Sequence, residues 1–288
     1  MPLSYNTTNQ SYYISDNKSI TFWIGGSTEE SGDQTRIIKY IIRNHESNTW
    51  GTEGILFDFS TEFNQFINFN NYTDLLFRRI NDNKIFVAVR PPADSGNSYS
   101  LSERVLYVFG TVTGSSISFS EPKILGNGDD IYVRHKSISA LVVNDDIDPN
   151  DFIVLFSFIS GNNFSVLKIT ESTEESAINE SGGSVYGEAS PYYTKLIKKN
   201  NLVLAICLKQ YESTFVFNGK KPVVKSFNYN PSSKLLFETI PGHFYIPDIP
   251  IIAYPDNVIS TSVDMFFTGE DYNFMIVGPD VTSGPIPA

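Results

Sequence analysis

The chain has 288 residues and a mass of 32.3 kDa, with 41% hydrophobic and 18% charged residues, enough to bury a sizeable core. Its 21 Lys and Arg against 32 Asp and Glu give a net charge of −11, which argues against binding a phosphate backbone or adhering to an anionic membrane. One cysteine, Cys207, excludes an internal disulfide framework and a multi-cysteine zinc site. The longest aliphatic run, Leu202–Leu208, falls far short of the roughly 20 residues that span a bilayer. The N-terminus MPLSYNTTNQ has neither the basic start nor the apolar stretch of a secretory signal.

In chain order, short apolar runs rich in β-branched and aromatic residues alternate with Asn, Asp, Gly and Pro. No segment keeps helical periodicity for three turns. The class is therefore all-β. A polar turn followed by a solid apolar run recurs five times. The turns are Ser15–Lys18, Asn81–Lys84, Asp148–Asn150, Lys199–Asn201 and Pro255–Asn257. The runs start at Ser19, Ile85, Asp151, Leu202 and Val258, at intervals of 66, 66, 51 and 56 residues.

A strand-like segment precedes each turn: Ser11–Ile14, Asp74–Ile80, Ser137–Val143, Tyr192–Lys198 and Ile251–Tyr254. A third strand follows each run: Arg36–Arg43, Arg104–Thr111, Phe164–Thr170, Ser213–Asn218 and Tyr272–Gly278. A more polar fourth is placed at Gly54–Ser60 and Ser116–Leu125. Glu171–Gly183, Tyr99–Glu103 and Ser27–Gln34 read as exposed loops. Four antiparallel strands repeated five times describe one β-propeller domain over residues 1–288, with Leu3–Asn9 supplying the last strand and closing the ring. Second strands covered on both faces by neighbouring blades would read as continuous apolar runs. Six shorter blades and a β-sandwich remain as alternatives.

Motifs for nucleophilic catalysis and phosphate binding are absent. His45, His135 and His243 lack metal-ligand spacing, and the oxygen-rich segments Asn127–Asp130 and Asn144–Asn150 lack the glycine and distal glutamate of an EF-hand. No metal or cofactor is expected. Around the funnel mouth of a propeller the candidate binding residues are Asp74, Arg78, Arg134, His135, Glu188 and Asp248. Five-bladed propellers resemble the fold of glycoside hydrolases such as arabinanases and fructosidases, in which acids at the start of innermost strands point into the funnel. That resemblance implies Asp74, Glu188 and Asp248 as the acids. The first strand, Ser11–Ile14, carries no acid, and only Trp23 and Trp50 are available to stack on sugar. The tyrosines at 12–13, 186 and 192–193 follow no repeated lectin motif.

Val108–Lys123, with Gly110, Thr111, Val112, Gly114, Ile117, Phe119 and Pro122, resembles a repeat of bacteriophage tail and virion proteins. The resemblance implies a non-enzymatic virion module, made in the host cytoplasm, docking on other virion proteins or a host-surface glycan. Neither nucleic acid nor membrane insertion is implied, and a homo-oligomer is compatible. The alternatives are a carbohydrate-binding propeller and a glycosidase-like enzyme.

Overall fold

The computed structural model describes residues 9–25, 37–58, 74–90, 105–125, 135–144, 150–160, 163–180, 191–212, 218–230, 232–238, 244–245, 252–253, 262–268 and 271–277. Among these the regular structure is strand throughout. The first sheet holds β1 (Gln10–Ser15), β2 (Lys18–Gly25), β3 (Ile37–Asn44), β4 (Thr49–Trp50) and β5 (Gly54–Asp58), in the order β1-β2-β3-β4 with β5 also on β3. The second holds β6 (Asp74–Asn81), β7 (Lys84–Arg90), β8 (Leu106–Thr113), β9 (Ser116–Phe119) and β10 (Lys123–Ile124). It runs β6-β7-β8-β10, with β9 also on β8.

The third is β11 (His135–Asn144), β12 (Phe152–Ser160), β13 (Asn163–Ile169) and β14 (Glu174–Glu180) in sequential order. The fourth is β15 (Pro191–Lys199), β16 (Leu202–Glu212), β17 (Asn218–Asn230) and β18 (Leu235–Glu238), with β19 (Phe244–Tyr245) and β20 (Ile252–Ala253) on β17. The fifth is the pair β21 (Ser262–Thr268) and β22 (Asp271–Val277). The expected all-β class with several antiparallel sheets is the observed one.

The polar turns fall where the sequence puts them. Asp16 and Asn17 join β1 to β2, Asp82 and Asn83 join β6 to β7, and Asn200 and Asn201 join β15 to β16. Asn200 takes φ 52°, a left-handed conformation that asparagine tolerates better than most residues. The turn at Pro255–Asn257 lies outside the described residues, as do Leu3–Thr8, Ser27–Gln34 and Tyr99–Glu103.

Three expectations are corrected. Glu174–Glu180, read as part of a loop, is strand β14. An edge strand needs one partner's backbone, not an apolar face, and Lys168 pairs with Glu175 across the ladder at 2.6 Å. The third strand of the fourth repeat is β17, starting at Asn218 rather than ending there. It tracks β16 from Glu212↔Asn218 to Leu202↔Asn228 and carries Pro222 within it. Ile252 and Ala253 pair with β17 rather than opening a fifth sheet.

By contacts the chain forms two compact units, Met1–His135 with Asn144–Phe152, and Lys136–Val143 with Ile153–Ala288. In the first, Ile20, Phe22, Ile38, Ile42 and Phe57 of the first sheet pack on Phe77, Ile85, Val87, Val89 and Val108 of the second. The whole run Ile85–Val89 is buried. Odd positions belong to this core, while Phe86 meets Tyr107 and Phe109 through its ring. Both faces of β7 are therefore covered, as its unbroken apolar sequence requires. In β2 burial alternates instead: Ile20 and Phe22 are buried, Ser19, Thr21 and Trp23 half-buried. One face of the first sheet therefore stays partly open. In the second unit Val143, Ile153, Leu155 and Val166 pack with Leu196, Val203, Ala205, Phe227 and Tyr229.

Candidate functional site

In each of the first four sheets the first strand runs toward the turn that joins it to the second. Its leading residue therefore sits at the other end of the sheet. The leading residues are Gln10, Asp74, His135 and Pro191. Asp74 opens β6 opposite Arg90 in register, and is the carboxylate among the four. His135 opens β11. Arg134, Glu188 and Asp248 lie outside the described residues.

Arg78 shares the strand parity of Asp74 but stands four residues further along β6, about 13 Å at strand rise. Arg78 Nη1 donates to the Phe77 carbonyl at 2.7 Å, and its charge acts on Tyr12 of β1. Tyr12 Oη donates to Gln10 Oε1, and its ring stacks on Phe77 at 4.6 Å. Burial pushes the Tyr12 phenol above its ordinary value, while the Arg78 guanidinium pulls the other way. At neutral pH Tyr12 is a neutral hydrogen-bond donor. The first two leading strands thus present an amide, a phenol and a guanidinium together. Sequence reasoning found Arg78, set Tyr12 aside for want of a repeated lectin motif and missed Gln10, since a polar residue next to aromatics in a strand carries no motif. Strand parity is the signal that singles them out.

A second group lies at the turn end of the first sheet. Register places Tyr13 opposite Ser19, Ser19 opposite Arg43, and Arg43 opposite Trp50, so the four side chains share one face. His45 Nε2 is 2.9 Å from Ser19 Oγ, and its ring lies 5.6 Å from that of Tyr13. Arg43 sits over the Trp50 ring at 5.2 Å and donates through Nη2 to Asn48 Oδ1 at 2.9 Å.

Of the oxygen-rich segments, the described members Asn144 and Asn150 bond to the end of β6. Asn144 Nδ2 donates to the Ile80 carbonyl at 2.9 Å, and Asn150 Oδ1 accepts from Asn81 Nδ2 at 3.5 Å. Among the described residues no three His, Cys, Asp or Glu side chains gather into a metal site. Cys207 lies mid-strand in β16, opposite Thr194 and Val223 in register.

No family model and no curated protein matches the chain. Solved structures to which the chain is similar include an exo-1,5-α-L-arabinanase from a bovine ruminal metagenomic library, with 8% identity, 95% of this chain and 89% of that one covered, and a TM-score of 0.44. A xylan β-1,4-xylosidase from Bacillus halodurans has 10% identity, 91% and 50% coverage, and a TM-score of 0.42. The GH43 protein BlXynB from Bacillus licheniformis has 12% identity, 88% and 43% coverage, and a TM-score of 0.36. The chain spans about half the length of the last two or less.

These neighbours are glycoside hydrolases, and they overturn the expectation of a non-enzymatic virion module. The physical reason lies in the hairpin on which that expectation rested. Thr113 pairs with Ser116 around a two-residue turn, and Gly114 supplies its φ of 61°. Gly110 leaves room for Ile85, Ile117 and Phe119, and Val112 is buried. Gly110, Val112, Ile117 and Phe119 answer to local packing and Gly114 to the turn, demands that virion proteins share with any antiparallel hairpin. At TM-scores below 0.5 the likeness assigns neither substrate nor residue to this chain.

Proposed function

We propose that the chain is a carbohydrate-active protein of the glycoside-hydrolase kind, built as one five-bladed propeller over residues 1–288 and closed by Leu3–Asn9. The observation that carries this reading is the position of Asp74, a carboxylate leading the first strand of the second sheet. In a ring of blades every such leading residue borders one funnel. Asp74 would then meet Gln10, His135 and Arg134 there, with Tyr12 and Arg78 further down the same strands. Glycosidic cleavage needs a second carboxylate, and Glu188 and Asp248 are the candidates. One acid protonates the departing oxygen while the other activates water or forms the glycosyl intermediate. The neutral Tyr12 hydroxyl and Gln10 amide suit sugar hydroxyls, which accept and donate in turn.

Release of reducing ends from arabinan, xylan and related polysaccharides tests the reading. The expected result is cleavage of one polymer, reduced about 10²–10⁴-fold in kcat by Asp74→Asn. No cleavage by the purified protein, or a full rate in Asp74→Asn, overturns it.

A further inference from the structure

We propose that the turn end of the first sheet is a binding platform for an uncharged oligosaccharide, separate from the leading ends of the first strands. The inference stands on its own geometry and does not require the hydrolytic reading. Tyr13 is 67% and Trp50 56% exposed, among the most exposed large apolar side chains of the described residues. Neither ring hangs free. His45 braces Tyr13, and is itself held by Ser19 Oγ and by its backbone N–H to the Asn17 carbonyl at 2.7 Å. Arg43 lies over one face of Trp50 and is held in turn by Asn48. Two apolar rings are thus fixed in place and kept in water, an arrangement that costs hydration and ordering without serving the core.

The row runs straight across four strands, so the two rings stand three strand spacings apart, about 14 Å. Between them lies a polar strip: the Ser19 hydroxyl, the His45 imidazole, and the Arg43 guanidinium with the Asn48 amide. A protein partner would need a contiguous apolar centre, which this strip interrupts. A sugar chain matches it, because its C–H faces stack on aromatic rings while its hydroxyls donate and accept between them. A ligand without charge fits best. The protein carries −11, which repels polyanions, and the one guanidinium of the row is already engaged by Asn48 and Trp50.

The chain has two tryptophans, so Trp23→Phe leaves Trp50 as the sole indole reporter. In this variant we expect iodide to quench Trp50 efficiently. Of xylohexaose, arabinohexaose, cellohexaose and maltohexaose, at least one should shift its emission saturably. Adding Tyr13→Ala should weaken that binding about tenfold without moving the denaturation midpoint. The same titration in an Asp74→Asn background should be unchanged, which separates failure of the platform from failure of the hydrolytic reading. A Trp50 shielded from iodide, no shift with any of the four sugars, or an affinity indifferent to Tyr13→Ala overturns the proposal.

Discussion

The Tyr12 ring lies nearly parallel to that of Phe77, centroids 4.6 Å and planes 15° apart, and joins the first strand of one sheet to the first strand of the next. Phe22 completes the cluster at 6.2 Å from Tyr12 and 6.3 Å from Phe77. The same contact that welds two sheets holds the Tyr12 hydroxyl beside Gln10. Phe77 is 6% exposed, so Phe77→Ala opens a cavity at this joint. A loss of about 3–5 kcal/mol is expected in urea unfolding. A loss below about 1 kcal/mol would mean the joint collapses without consequence.

Stability should fall at alkaline pH through two half-buried phenols. Burial raises the pKa of Tyr12 and of Tyr40 above the ordinary 10.0, so the folded state holds these protons more tightly than the unfolded chain. Their contribution is complete below pH 10.0 and is lost as pH climbs through the raised folded values. Urea midpoints compared between pH 8 and pH 11 should drop less in Tyr12→Phe than in the natural protein. An equal drop would place the Tyr12 hydroxyl in water.

Two glycines of one hairpin should fail for different reasons. A Cβ on Gly110 would stand 2.8 Å from Ile117 Cδ1 and from Ile85 Cγ1, and 2.9 Å from Phe119 Cε1. Ile85 is fully buried and cannot retreat, so Gly110→Ala should cost about 1–3 kcal/mol by overpacking. Gly114 has open space around its Cβ position but φ of 61°. Gly114→Ala should cost about 1–2 kcal/mol through backbone strain alone. Chemical denaturation of Gly110→Ala with Ile117→Val should recover part of the first loss. Gly114→Asn should recover part of the second, since asparagine tolerates left-handed backbone.

In the second unit a buried hydroxyl network should prove cooperative. Ser157 Oγ lies 2.9 Å from Thr194 Oγ1, and Ser139 Oγ accepts from the Leu196 N–H at 3.1 Å, all at positions 4% exposed or less. Thr194→Val leaves the Ser157 hydroxyl only its longer bond to the Ser139 carbonyl at 3.5 Å, and a cost of about 1–3 kcal/mol is expected. In a cycle with Ser157→Ala, the double variant should lose less than the sum of the singles. Strict additivity would show that the two hydroxyls do not depend on each other.

The hairpins were readable because turn chemistry and apolar runs are local. Asp16-Asn17, Asp82-Asn83 and Asn200-Asn201 announce reversals, and the runs from Ile85 and Phe152 announce strands covered on both faces. Strand β17 was hidden because Lys220, Lys221 and Pro222 look like a break, although the long ladder to β16 absorbs them. Strand β14 was hidden because its acids need only an edge. The site was less legible than the fold. Gln10 and Tyr12 acquire meaning from strand parity and from Phe77, which is distant in sequence. The row from Tyr13 to Trp50 exists only once four strands are in register.

Backbone hydrogen exchange with and without arabinan and xylan oligosaccharides tests the central claim most directly. The account predicts added protection at the leading residues of β1 and β6, from Gln10 to Tyr12 and from Asp74 to Arg78, lost on binding-site substitution of Asp74. Exchange unchanged at both strands while the sugar is bound would contradict it.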